Sequence, residues 1–116
     1  MEEKKAFINL RVSDPMKQRI NRAFELEGID WTFLAKSVIY NFVRDVEAGK
    51  KPALENQKYR EMDKERKTKY LQIQISKSLK KRFDKALNET NLSATQVVLP
   101  YLLRITVEAE QKHSMK

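Results

Sequence analysis

The sequence predicts a mainly α-helical fold with one two-stranded antiparallel β-ribbon, assembled from two copies of a single unit. Three observations predict it. Phe7 to Glu47 can be laid over Tyr70 to Glu110 without a gap, at a constant offset (71 − 8 = 63 for Leu71 and Ile8). Each copy opens on a short run that alternates apolar and polar residues, the period of a half-buried strand. Each then continues with two apolar stripes at helical spacing, separated by a short turn. One such strand cannot bury its apolar face alone; two paired strands can.

The first strand is Phe7-Ile8-Asn9-Leu10-Arg11-Val12, with Ile8, Leu10 and Val12 on one face and Phe7, Asn9 and Arg11 on the other. The matching run is Tyr70-Leu71-Gln72-Ile73-Gln74-Ile75, so an aromatic residue followed by two polar ones recurs on the outer face. The first helix of copy one starts at Ser13-Asp14-Pro15, where either Ser13 or Asp14 can cap and proline suits the first turn. Met16, Ile20, Ala23 and Phe24 follow on one face. Leu79, Phe83, Ala86 and Leu87 match them, behind Ser76 or Ser78 as cap. Gly28 and Asn91 close these helices; both residue types tolerate the left-handed conformation.

The second helix of each copy begins at Asp30 or Ser93, with Thr32 or Thr95 two positions on. Its stripe is broad: Leu34, Ala35, Val38, Ile39, Phe42, Val43 and Val46 in copy one, and Val97, Val98, Tyr101, Leu102, Ile105 and Ala109 in copy two. Such breadth fits a helix buried on more than one side. Pro100 falls inside the second of these helices, where it removes a backbone hydrogen bond and bends the helix.

These elements divide the chain into a first unit (1–48), a charged linker (49–69) and a second unit with a short tail (70–116), the two units closing into one domain. Gly49 and Pro52 end the second helix. Asn56 to Lys67 could form a polar helix with Asp63 and Lys67 as an i,i+4 pair, but it has no apolar stripe, so a solvated tether is expected. The tail after Gln111 reads as frayed.

The 24 Lys+Arg against 16 Asp+Glu give a net charge of +8 and a pI near 9.7. That balance favours phosphate-rich partners or anionic surfaces. The chain has no cysteine, so neither a disulfide framework nor a thiolate metal site is expected. The start, MEEKKAFINL, lacks an apolar signal core, and the run Val97 to Leu103 is too short to span a bilayer. The two glycines make no phosphate loop. The one histidine, His113, lies in the tail, and no carboxylate pair or activated nucleophile stands out. An enzyme, a metal, a cofactor and a membrane partner are therefore not expected.

In this order and patterning, the repeated unit resembles the ribbon-helix-helix family of DNA-binding proteins, of the Arc/MetJ type. Asn9-Leu10-Arg11 is similar to the family's strand signature, and Gly28-Ile29-Asp30-Trp31-Thr32 to its turn into the second helix. Asn91-Leu92-Ser93-Ala94-Thr95 is similar without the glycine. Six positions are identical between copies: Ser13/Ser76, Lys17/Lys80, Arg19/Arg82, Ala23/Ala86, Thr32/Thr95 and Glu47/Glu110. The resemblance implies a tandem ribbon-helix-helix pseudo-dimer in one chain, similar to TraY-type proteins. The linker, about 21 residues long and able to reach ~70 Å when extended, also allows strands to swap between two chains. Fusion raises the effective concentration of the partner strand, which favours pairing within the chain.

The resemblance further implies double-stranded DNA as partner, with the ribbon in the major groove. Asn9, Arg11, Gln72 and Gln74 would then face the bases, Arg11 suiting guanine and the amides adenine. Thr32, Ser93 and Thr95, at helix starts, would meet the phosphate backbone. Lys4, Lys5 and Lys69 would strengthen binding without sequence preference, as would Lys77. Phe7 and Tyr70 either pack against sugars or cover the ends of the core, and the Tyr70 hydroxyl can also hold a phosphate. Lys17, Arg19, Lys80 and Arg82 read as a solvated helix face.

The expected role is a transcriptional repressor in the cytoplasm, encoded by a bacterium, phage or plasmid, with further copies able to bind adjacent sites cooperatively. A relaxosome or architectural accessory protein of a mobile element is the alternative. An antitoxin-like protein-binding module is the second, though the short tail leaves little room for a toxin-binding arm.

Overall fold

The computed structural model describes residues 4–114; residues 1–3 and 115–116, the ends of the two predicted units, lie outside the described residues. The chain runs β1 (Lys5–Val12), α1 (Asp14–Glu27), α2 (Trp31–Glu47), a short 3₁₀ helix (Gln57–Met62), β2 (Lys69–Ser76), α3 (Lys77–Thr90) and α4 (Ala94–Lys112). The protein is thus mainly helical with a two-stranded antiparallel sheet. Each strand extends slightly past its predicted limits.

β1 pairs with β2 of the same chain, and Asn9 stands directly opposite Gln72. The two residues occupy equivalent places in the two copies (9 + 63 = 72), so the ladder is centred on them. Ile8, Leu10 and Val12 of β1 and Leu71, Ile73 and Ile75 of β2 are buried beneath the ribbon. Burying each such side chain contributes roughly 1.5–3 kcal/mol, which fixes the register because a one-residue slip would turn them all outward. Helices from both copies complete one core, where Phe42 of α2 meets Phe83 of α3 edge to face at 5.9 Å.

Local capping sets the helix limits. Ser13 and Ser76 cap α1 and α3 by accepting from Met16 N–H and Leu79 N–H. Gly28 and Asn91 both take the left-handed conformation, with φ of 69° and 58°. The closing bonds match as well: Ile29 N–H donates to Phe24 O and Leu92 N–H to Leu87 O, each at 3.0 Å. Asparagine therefore makes the turn that glycine makes in the first copy.

The expected solvated helix face is in part a pair of bridges. Arg19 of α1 donates through Nε and Nη2 to Glu110 of α4, at 2.8 and 2.6 Å. Arg82 of α3 does the same to Glu47 of α2, at 2.9 and 2.7 Å. Both residues of each bridge are identical between copies, so one interaction occurs twice with the copies exchanged.

The linker is not a solvated tether. Asn56 caps its 3₁₀ helix by accepting from Lys58 N–H, and Tyr59 and Met62 pack against the core. Asp63 is buried and accepts from the backbone N–H and the hydroxyl of Ser13, the cap of α1. Lys67 stands 3.9 Å from that carboxylate but donates at 2.6 Å to the Asp63 carbonyl. Glu55 pairs with Arg104 of α4 at 2.6 Å.

Pro100 explains one of these contacts. Its missing N–H leaves the Gln96 carbonyl without its helical partner. Gln57 of the linker supplies a replacement, its Nε2 donating to Gln96 O at 2.9 Å. The start of the tail is also held: α4 runs to Lys112, and His113 meets Glu27 of α1 at 2.7 Å, while residues 115–116 lie outside the described residues.

Candidate nucleic-acid interface

The outward face of the ribbon follows from strand alternation. The amide of Lys77 donates to the carbonyl of its opposite residue, Lys4. Hydrogen-bonded and non-hydrogen-bonded pairs alternate along an antiparallel ladder. Four outward-facing pairs therefore fall at the closer, non-hydrogen-bonded positions: Lys5 with Ser76, Phe7 with Gln74, Asn9 with Gln72, and Arg11 with Tyr70.

Asn9, Arg11, Gln72 and Gln74 come together on this face and are exposed. Gln72 Nε2 donates to Asn9 Oδ1 at 3.3 Å across the centre. Phe7 and Tyr70 lie on this outward face and are about half exposed, at 48% and 51%. Among the eight outward residues there is no carboxylate, while Lys5 and Arg11 are cationic. A two-stranded ribbon carrying amides and a guanidinium has the donors and acceptors that base edges require.

The remaining predicted contacts divide. Lys5 shares the outward face. Lys69 opens β2 in alternation with the buried Leu71, so it lies on the inner side of the ribbon's end, and Lys4 precedes β1 with the same inward phase. Arg11 Nη2 donates to the Lys67 carbonyl at 2.6 Å, which ties its guanidinium to the linker as well as to the ribbon.

The starts of α2 and α4 are not equivalent. Asp30 caps α2, accepting from Thr32 N–H at 3.0 Å and from the Thr32 hydroxyl at 2.6 Å. Those bonds hold the Asp30 carboxyl below its ordinary range, so α2 starts with a charged carboxylate. Ser93 caps α4 without charge in a reciprocal box, accepting from Gln96 N–H while Gln96 Oε1 accepts from Ser93 N–H. Thr95 lines an open groove beside it. A helix start with a neutral cap suits an anion better than one already carrying a carboxylate.

Among the described residues, no group of three or more His, Asp or Glu side chains is placed to hold a metal ion, and no helix is long and apolar enough to cross a membrane. No family model, curated protein or solved structure matches the chain.

Proposed function

We propose that the chain is a tandem ribbon-helix-helix pseudo-dimer that binds double-stranded DNA sequence-specifically, with its β-ribbon in the major groove, and acts as a transcriptional repressor. The observation that carries this reading is the outward convergence of Asn9, Arg11, Gln72 and Gln74 on the exposed face of a two-stranded ribbon. An ordinary sheet exposes polar residues only because it must face water. Among the described residues this ribbon has no third strand, and its outer face holds base-reading residue types without an acid. The overall charge of +8 agrees in sign with a phosphate partner.

The two strands differ in their reading residues, so the favoured subsite is not a perfect palindrome. Binding selection from a random duplex pool, followed by titration of single variants, tests the proposal. Arg11→Ala should cost about 1–3 kcal/mol and relax base choice at one position. Lys5→Ala, on the outward face, should weaken all sequences alike. Equal affinity of the Arg11→Ala protein for every sequence the native protein prefers, with no loss, would rule out base reading by this face. Mapping the bound sites in cells then tests the role: promoter overlap is expected, and confinement to a transfer origin would replace repression with the accessory role.

A further inference from the structure

We infer that the linker is a third DNA-contacting element, which grips the phosphate backbone on one flank of the ribbon only. The inference rests on the DNA-binding reading above. An open groove of about 710 Å³ lies between the linker's 3₁₀ helix, the end of β1 and the first turn of α4. Arg11, Lys58, Arg60 and Lys67 line it, against the carboxylates of Glu61 and Asp63. Asp63 is already committed to Ser13 and lies beside Lys67. That leaves Arg11, Lys58 and Arg60 against Glu61 alone. Lys58 and Arg60 are exposed, and among the described residues neither forms an ion pair.

Arg11 belongs to both surfaces, which makes the groove continuous with the outward face of the ribbon. A strand of DNA backbone leaving the major groove on this side meets the cations directly. The neutral cap of α4 and the Thr95 hydroxyl lie in the same groove. On the opposite flank the equivalent positions are Gln74, Asp30 and Thr32, whereas the linker's 3₁₀ helix packs against α4. The first flank therefore adds the exposed cations Lys58 and Arg60 and a neutral cap, whereas the helix start on the second is capped by the Asp30 carboxylate.

The test is fluorescence anisotropy with a mixed-sequence 30-base-pair duplex (about three helical turns) across a salt series. Lys58→Ala with Arg60→Ala should lower affinity roughly ten-fold and make the log–log salt slope shallower by about 2. Lys50→Ala with Lys51→Ala, which removes the same charge from the far end of the linker, should change both far less. Lys58→Arg with Arg60→Lys keeps both charges and should bind as the native protein does. On a selected site, phosphate-ethylation interference should extend farther on one flank and lose that extension in the alanine variant. If the native protein binds and the two alanine pairs behave alike, the linker contact is refuted while ribbon binding stands. If the native protein binds no duplex at low salt, the DNA reading itself fails.

Discussion

Gln57 and Pro100 form a pair whose energetic coupling can be measured. Gln57 Nε2 donates to the Gln96 carbonyl at 2.9 Å and to the Glu55 carbonyl at 3.0 Å. In Gln57→Ala the Gln96 carbonyl loses its substitute donor in a partly buried site, a loss of about 1–3 kcal/mol. The low end applies, because Gln57 Oε1 is itself buried without a partner and disappears in the same substitution. In Pro100→Ala the new N–H lies four residues after Gln96 and can supply the helical bond. Gln57→Ala should then cost only its lost packing and its bond to Glu55. A coupling energy of about 1 kcal/mol is the result. Urea unfolding of the four proteins measures it, and thermal unfolding should show a corresponding shift of roughly 4 °C. Effects that add within about 0.3 kcal/mol would refute the substitution of one donor for the other.

Three further outcomes follow from the described contacts. Arg19→Glu should destabilise the protein by at most about 1 kcal/mol, since the pair with Glu110 is well exposed and screened, and adding Glu110→Arg should restore the unfolding midpoint; failure of the exchange to recover any stability would remove the bridge as the cause. Asp63→Ala should cost about 2–3 kcal/mol in chemical unfolding, because the buried Ser13 amide loses its acceptor, and a change below about 0.5 kcal/mol would show that the linker does not secure α1. Acid should weaken the fold: guanidinium hydrogen bonds from Arg82 and Arg19 lower the carboxyls of Glu47 and Glu110 below their ordinary 4.5. A lowered folded-state value contributes stability that is fully present above 4.5 and lost as pH falls through the folded value. The urea midpoint of Glu47→Gln with Glu110→Gln should therefore depend less on pH below 4.5 than that of the native protein, and identical pH profiles would exclude these two groups.

The strands and helices were legible because each writes a short-range pattern. Alternation in 7–12 and 70–75 marks which residues point inward, and the serine caps and the Gly28 and Asn91 turns mark helix limits. The outer row of Asn9, Arg11, Gln72 and Gln74 was legible for the same reason. The linker was not, because its order comes from polar contacts across long sequence separations. Asp63 reaches Ser13, Gln57 reaches Gln96 and Glu55 reaches Arg104, and none leaves a periodic trace. The docked position of His113 escaped notice in the same way, since its partner Glu27 lies at the far end of another helix.

A signal for the linker did exist, in the differences between the copies. Identical residues at equivalent places mark contacts made twice, as with Arg19 and Arg82 reaching Glu110 and Glu47. Along one line of the second helices, differing residues mark a contact made once. Leu99, Pro100 and Leu103 of α4 replace Lys36, Ser37 and Tyr40 of α2, so α4 is apolar along a line where α2 is not. All three are buried in α4, on the helix that the linker packs against. One chain has one linker and two such helices, so it can cover only one of them. The other face keeps solvent-facing residues, and Phe33 and Tyr40 of α2 remain 69% and 45% exposed. The same asymmetry places a proline where Gln57 can repair the helix and leaves serine at the equivalent place in α2. A protein so built has a left and a right, and any elongated partner lying across its ribbon meets two different flanks.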